Sequence, residues 1–165
     1  MIVYRSGRKC LLSWLDMDDM KEVKKTIPVK EGLFTMPSNP DEKPRLIASE
    51  CPSCGEVLFP KRKMCTNCQE EKLREITLSP RGKIYSFSVV MQRPGRYYEG
   101  PVPYAFGWVE FPEKVRVEGL FVCDNFDDLR IGREVEVVIE KLTGDQDGNE
   151  VVAHKFRLIG PSKES

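Results

Sequence analysis

The sequence predicts a mainly β protein in which an N-terminal helical and extended arm precedes two small β units. The first observation is a pair of Cys-x-x-Cys motifs, beginning at Cys51 and Cys65, which predict a rubredoxin-like ribbon. The second is a change to period-two alternation from Lys83 onward, which predicts five consecutive strands. The predicted units are the arm, the ribbon and a barrel, at residues 1–45, 46–80 and 81–165.

The arm combines a helical stretch with a proline-rich stretch. Residues 13–25 predict a short helix, because Ser13 can cap its start and three lysines suit its C-terminal end. Two interpretations stay open for it: docking on its own domain, or packing on a partner. Four prolines between 28 and 44 exclude regular helix and favour an extended segment, either a linker or a strap across another surface through Leu33, Phe34 and Met36.

The two cysteine motifs predict a metal site in the ribbon. Each motif grips one side of a metal, and ten residues separate the pairs, a spacing typical of a tetrahedral Cys₄ zinc ribbon. A closed Cys₄ shell leaves no open coordination position, so the metal is expected to be structural. We expect zinc, with iron in a rubredoxin-like shell as the open alternative, and Leu58-Phe59-Pro60 packed over the site. The predicted ligands are Cys51, Cys54, Cys65 and Cys68.

The C-terminal half predicts a five-stranded barrel. A turn signal at 79–82 separates it from the ribbon, and a segment at 125–132 is long enough for one helical turn. Five strands with a short helical crossing after the third are typical of an OB-type barrel, and an SH3-like barrel is the competing topology. The predicted strands begin at Lys83 and then span about 104–111, 116–123, 134–142 and 151–159.

No constellation of nucleophile, base and orienting group is visible in the sequence. The single histidine, His154, shares a strand face with apolar residues and is expected to be a partly buried barrel residue with a hydrogen bond. Cys123 is expected to be a small buried hydrophobe. Cys10 lies near the N-terminus, and neither of these two cysteines has a histidine nearby in sequence.

One loop carries the residue types of a binding site. Residues 92–103 join the first and second barrel strands, a position where OB barrels often hold ligands. Its arginines can contact phosphate, and its tyrosines can stack on an adenine or on a partner side chain. The alternative is a loop stiffened by Pro and Gly with ordinary exposed side chains. The candidate binding residues are Arg93, Arg96, Tyr97 and Tyr98.

The charge balance argues against nucleic-acid binding as the main function. Lys plus Arg and Asp plus Glu both number 26, and residues 81–165 carry 12 basic and 14 acidic side chains. A groove that follows phosphates needs a basic surplus. A single-stranded nucleic-acid module nevertheless remains the alternative, because Tyr104, Phe106 and Trp108 share one face of a strand and could stack bases.

The start of the chain predicts neither export nor membrane insertion. The apolar patch at 11–15 is too short for a signal peptide, and aspartates end it. No run approaches the roughly 18 apolar residues of a membrane span. With cysteines spaced for metal, we expect a reducing cytoplasm.

The order of these segments resembles one known family. It is similar to the zinc-ribbon/OB-fold accessory proteins of thiolase-like enzymes, the domain-of-unknown-function-35 type. The combination covers about residues 45–160 and is more specific than any piece alone. The segments that carry the resemblance are 51–55, 59–60, 65–68, 82–90, 103–110, 115–120 and 131–137.

The resemblance implies a small, non-catalytic subunit of a hetero-oligomer. Its thiolase-fold partner would supply the active-site cysteine and histidines, and a coenzyme A thioester would be the shared substrate. The small subunit of such relatives stabilises the partner, helps to shape the acyl-CoA site, or bridges two enzymes. Many members begin with a short helix carrying a Phe-Trp pair, whereas this chain has the proline-rich stretch and Trp14. That departure suggests a specialised member, such as the small subunit of a benzoylsuccinyl-CoA-type thiolase.

Overall fold

The computed structural model describes residues 25–39, 42–95, 98 and 100–160. These residues form nine strands and one turn of 3₁₀ helix, and no α-helix occurs among them. The predicted helix at 13–25 lies outside this part of the chain except for Lys25, which is not helical. The strands are β1 Thr26–Pro28, β2 Ile47–Glu50, β3 Val57–Leu58, β4 Arg74–Thr77, β5 Arg81–Val90, β6 Tyr104–Glu110, β7 Arg116–Val122, β8 Glu134–Gly144 and β9 Glu150–Leu158.

The five predicted barrel strands are confirmed as β5 to β9. Strand β5 pairs with both β6 and β8, β6 pairs with β7, and β8 pairs with β9. The circle closes through a parallel pairing of β7 with β9, which joins the third barrel strand to the fifth. The 3₁₀ turn Phe126–Asp128 lies between β7 and β8, where the helical crossing was predicted. This connectivity is that of a five-stranded OB barrel rather than the SH3-like alternative.

The proline-rich arm is part of the folded unit rather than a free linker. Strand β1 adds to the barrel sheet by pairing in parallel with β9. Leu33 and Phe34 are buried in the main core, and Phe34 forms an isolated bridge with Leu46 at the entrance to the ribbon. Met36, the third apolar residue of this stretch, is exposed.

One hydrophobic core joins the ribbon to the barrel. The ribbon is a three-stranded sheet with the order β3-β2-β4, and its residues Leu46, Ala48 and Leu78 belong to the same buried cluster as Ile84 and Phe156 of the barrel. All five side chains are at most 1 % exposed. Because the apolar side chains of the ribbon complete the barrel core, the two units support each other.

A carboxylate fastens the connection between ribbon and barrel. Ser79 follows β4, and both its backbone N–H and its hydroxyl donate to one oxygen of Glu113, at 2.8 and 2.7 Å. Glu113 lies in the tight β6–β7 turn, so a turn of the barrel accepts both hydrogen bonds that Ser79 donates. Ionised acceptors make stronger hydrogen bonds than neutral ones, which favours a fixed arrangement at this point.

An aromatic contact forms a second link between the units. The Phe59 ring meets the His154 ring edge to face, with centroids 5.7 Å apart. The His154 Nε2–H donates to the carbonyl of Glu118 at 3.0 Å, and Nδ1 is buried with no hydrogen-bond partner among the described residues. This confirms the expectation of a partly buried, hydrogen-bonded histidine. Burial lowers the pKa of His154 despite that carbonyl contact, so the neutral ring is the native form.

Gly107 allows strands β5 and β6 to approach each other closely. A Cβ at this position would overlap the Ser86 carbonyl oxygen and lie 2.7 Å from the Phe87 Cα. Both atoms belong to the backbone of β5, which pairs with Gly107 across the sheet, so neither can move without disturbing the ladder. Glycine is therefore required here by space rather than by backbone angle.

We expect Gly107→Ala to lower the free energy of unfolding by at least about 2 kcal/mol, because the added methyl group must push two paired strands apart. Urea unfolding of the metal-loaded protein measures the change. Gly95→Ala is the matched control, since its Cβ would meet nothing within 4 Å. That variant should stay within about 0.5 kcal/mol of the wild type. Equal stability of the two variants would contradict the tight approach of β5 and β6.

We expect His154 to make the protein less stable as the pH falls from about 7 to 5. The unfolded histidine, with a pKa of about 6.5, binds a proton more readily than the buried native ring, so protonation favours unfolding in this window. The test compares the pH dependence of unfolding free energy in the wild type with that of His154→Gln. As the pH falls, the free energy of unfolding should decrease more in the wild type than in His154→Gln. A constant difference across this range would show that His154 does not titrate in an abnormal way.

Candidate metal centre and ligand loop

The ribbon contains the same cysteine loop twice. In the first loop the Cys51 N–H donates to the Glu56 carbonyl, and the Gly55 N–H donates back to the Cys51 carbonyl. The second loop repeats both bonds with Cys65, Glu70 and Gln69. Gly55 and Gln69 hold equivalent positions with positive φ angles of 73° and 63°. The repeated backbone geometry turns two cysteines of each loop toward the same point.

The four sulfur atoms lie within 4.8 Å of one another. Cys51 Sγ is 3.4 Å from Cys68 Sγ, and Cys54 Sγ is 3.7 Å from Cys65 Sγ, so each contact joins one loop to the other. A tetrahedral zinc with Zn–S bonds of 2.3 Å needs sulfur atoms about 3.8 Å apart. The predicted ligand residues are therefore brought together with the spacing that such a metal requires.

The environment of the cluster favours ionised sulfur only in part. The pKa of Cys65 is lowered to about 7, mainly because the Cys68 N–H donates to its sulfur. Burial opposes this shift, and the Asn67 N–H adds to it. The Glu70 N–H lowers the pKa of Cys68, but hydrogen bonds to the Cys51 and Cys54 thiols outweigh it and raise that pKa to about 12. One thiol of the set thus ionises easily, while its neighbour resists a further negative charge. A divalent cation removes that resistance.

The surroundings of the cluster suit a closed structural site. Cys51 and Cys65 are buried with Leu58, and the half-buried Leu73 packs against these three residues. Leu58 therefore covers the site as expected, whereas Phe59 turns away toward His154. Four thiolate ligands and an apolar cover fit zinc held for structure, with no vacant ligand position for a water molecule.

The candidate loop after β5 is folded onto its own residues where the structure describes it. The Tyr98 hydroxyl donates to the Pro101 carbonyl at 3.1 Å, and the Tyr98 ring lies 4.8 Å from the Tyr104 ring. Arg93 donates to the Tyr98 carbonyl at 3.4 Å. Burial raises the pKa of Tyr98. The structure thus brings Arg93 and Tyr98 together, and Arg96 and Tyr97 lie outside the described residues.

A cleft of about 210 Å³ lies beneath Tyr98. Its walls are mostly apolar, with Tyr104 and Phe126 among them, and Cys123 lies in the wall and also packs against the barrel core. Cys123 is half-buried, and burial raises the pKa of its thiol. Among the described residues that line the cleft, Lys155 is the cation, and it pairs with Glu140 at 3.5 Å. A cleft of this composition can receive a slender, mainly apolar group.

Two residues that help to hold the ribbon, and with it the cysteine cluster, against the barrel were not singled out from the sequence. Glu113 bonds Ser79 at the start of the barrel, and Glu118 provides the carbonyl that holds His154. Nothing in the local sequence distinguishes either glutamate from other exposed acids, because each role depends on a contact made through folding. Among the described residues, no helix is long and apolar enough to cross a membrane.

Comparison with known families matches the two units separately and in order. The family model described as ChsH2, rubredoxin-like zinc ribbon domain matches residues 40–74. The model described as ChsH2, C-terminal OB-fold domain matches residues 75–140. A solved structure titled Ltp2-ChsH2(DUF35) aldolase shares the fold, with a TM-score of 0.56 and 24% sequence identity over 69% of this chain and 84% of that chain.

Two curated relatives show the same relationship in sequence. A DUF35 domain-containing scaffold protein of Methanocaldococcus jannaschii is 36% identical over 116 residues, which are 69% of this chain and 82% of that protein. The benzoylsuccinyl-CoA thiolase subunit BbsA of Thauera aromatica is 33% identical over 124 residues, 70% of this chain and 78% of the subunit. Both matches span most of the relative and include ribbon and barrel together. The chain therefore belongs to the DUF35 family of zinc-ribbon and OB-fold proteins.

Proposed function

We propose that this chain is a non-catalytic accessory subunit of a thiolase-type acyl-CoA enzyme, which stabilises a thiolase-fold partner and helps to shape or bridge its acyl-CoA site. The observation that carries the proposal is the match, across ribbon and barrel, to a protein named as a thiolase subunit. A second relative named as a scaffold protein agrees with a role in assembly. A coenzyme A thioester would then be the substrate of the complex, with its carbon–carbon bond made or broken on the partner.

The state of the potentially reactive side chains supports the non-catalytic role. His154 is enclosed by Phe59 and Phe156, and its one hydrogen bond goes to a backbone carbonyl. A general base must reach the proton that it abstracts, and this ring is turned into the protein. The four ribbon cysteines form a closed cluster, which leaves no sulfur directed at a substrate.

The loop after β5 is the part of this chain that we propose to contact acyl-CoA or the partner close to the acyl-CoA site. Tyr98 lines the apolar cleft, and the same stretch of sequence supplies Arg93, Arg96 and Tyr97 as further cations and a further ring. The ring of Tyr98 is already packed on Tyr104, so its contribution is to hold the loop in shape. The cationic side chains of the loop are then the groups that meet a phosphate.

We further propose that Cys51, Cys54, Cys65 and Cys68 hold one structural zinc ion. The sulfur spacing and the closed shell support zinc, and the ion supplies folding energy to the ribbon rather than chemistry. Because the ribbon contributes Leu46 and Ala48 to the barrel core, loss of the ion is expected to weaken the barrel as well.

We expect Cys51→Ser and Cys68→Ser each to lose bound metal and to unfold the ribbon, because binding energy and folding energy are coupled at such a site. Elemental analysis of the purified protein gives both the identity and the stoichiometry of the metal. Cys123→Ser is the matched control and should keep the wild-type metal content, since Cys123 lies outside the cluster. Wild-type stoichiometry in both ligand variants would refute the Cys₄ assignment, and iron in the wild type would refute zinc.

Recovery of a thiolase-fold protein tests the proposed function. We expect the full chain, tagged and expressed in its native source, to purify with such a protein in near-equal amount, identified by mass spectrometry against a tag-only control. Thiolytic cleavage of acyl-CoA should require the catalytic protein and fall when this chain is omitted. Purification of the native chain without a thiolase-fold protein would contradict the proposal, as would acyl-CoA turnover by this chain alone.

A further inference from the structure

The outer face of β6 exposes two aromatic rings in the middle of the barrel sheet. Ala105, Gly107 and Val109 point into the barrel, so Phe106 and Trp108 point outward. Phe106 is 37% exposed and Trp108 is 41% exposed. Hydrogen bonds to β5 and β7 satisfy both edges of β6, so a partner cannot add a strand here. Only side chains are available for contact at this position.

The neighbouring aromatic residues on the same face already contact other side chains of this chain. Tyr104 lies against Tyr98, at 4.8 Å between ring centroids. At the other end of the strand, the Arg116 guanidinium stacks 3.6 Å above the Tyr85 ring and also pairs with Glu110 at 3.1 Å. Phe106 and Trp108 lie between these two contacts, and neither stacks on another ring among the described residues. We call Phe106 and Trp108 the aromatic face.

The residues beside the aromatic face leave its rings exposed and place a negative charge next to them. Ser88 and Ser86 lie opposite Phe106 and Trp108 on β5, and such small side chains let the rings protrude. On the other side, Glu118 of β7 lies opposite Trp108 and is exposed. Glu118 forms no ion pair with any described residue. An indole ring and an unpaired carboxylate are therefore neighbours on the surface.

We propose that the aromatic face and Glu118 form the docking surface for the thiolase-fold partner, which presents an arginine flanked by apolar side chains. This inference rests on the function proposed above. The guanidinium would pair with Glu118 and lie over the Trp108 ring, an arrangement that satisfies both groups at once. Apolar side chains would cover Phe106. Trp and Arg are enriched among the few positions that dominate binding energy at protein interfaces.

The negative charge at this surface favours binding of a different protein over binding of a second copy of this chain. A two-fold axis through the aromatic face would bring Glu118 close to the Glu118 of the copy, and like charges that meet in an interface weaken binding strongly. Arg116 lies two residues before Glu118 on the same strand, but Glu110 and Tyr85 already engage it. The same carboxylate repels phosphate, which argues against stacked nucleic-acid bases on Phe106 and Trp108.

The main test measures the affinity of full-length variants for the purified thiolase-fold subunit. We expect the double variant Phe106→Thr/Trp108→Thr to bind about 100-fold more weakly, because two central anchors are lost. Threonine keeps the strand preference of the replaced residues, and unchanged circular dichroism and melting temperature establish the fold. Ile131→Thr is the matched control, since Ile131 is 73% exposed but lies away from β6 in the turn before β8. That variant should bind like the wild type.

A second variant tests the charge separately. Glu118→Gln should weaken binding about 5- to 10-fold and reduce the dependence of affinity on salt. Asp147→Asn, in the exposed β8–β9 turn, is its control and should leave both quantities unchanged. A Glu118→Gln effect that is equally large at all salt concentrations would overturn the proposed pairing with a cation.

The outcomes separate this inference from the proposed function. Wild-type affinity in the folded double variant overturns the docking surface and leaves the accessory role intact. Failure of the wild type to bind any thiolase-fold protein overturns both. A wild-type dimer that the double variant converts to monomer identifies a second copy as the occupant, and loss of binding to a single-stranded oligonucleotide identifies nucleic acid. Either result overturns the inference.

Discussion

Four sulfur atoms within 4.8 Å of one another constrain the rest of this molecule, because they cannot all carry negative charge unless a cation lies among them. The raised pKa of Cys68 expresses that conflict in the chain alone. Once the conflict is resolved by a metal, both cysteine loops are fixed, and with them strand β2. That strand carries Ala48 into the core, and Leu46, just before the strand begins, is buried in the same core. Strand β2 therefore connects the cysteine cluster directly to the barrel interior.

The junction between ribbon and barrel explains how a small β protein can present a stable surface. Apolar burial at Leu78, the Ser79–Glu113 hydrogen bonds and the Phe59–His154 contact act at separate points around the connection. Several contacts at separate points oppose a hinge motion of the two units, whereas a single contact would leave a pivot. A scaffold subunit needs this property, since it orients a partner only as well as its own parts are oriented.

Patterns that depend on nearby residues predicted the structure well, and contacts between distant residues did not. The Cys-x-x-Cys spacing located the ribbon because the loop geometry is local, and alternation located the five barrel strands because each buries one face. The pairing of β1 with β9 joins residues more than 120 positions apart, and three residues carry no signal for it. The same limit applies to the loop after β5. Residue types marked Tyr98 as a binding group, but its packing on Tyr104 depends on the tertiary fold.

The contact between Phe59 and His154 also makes the chain its own spectroscopic reporter. His154 is the single histidine of the sequence, so its imidazole protons give one set of NMR signals that needs no assignment by mutation. An aromatic ring 5.7 Å away, met edge to face, shifts those signals through its ring current. Phe59 follows directly after Leu58, which packs on the cysteine cluster. A change in the cysteine loops that moves Leu58 is therefore expected to shift a resonance in the barrel, so one-dimensional spectra of unlabelled protein can be used to follow metal exchange.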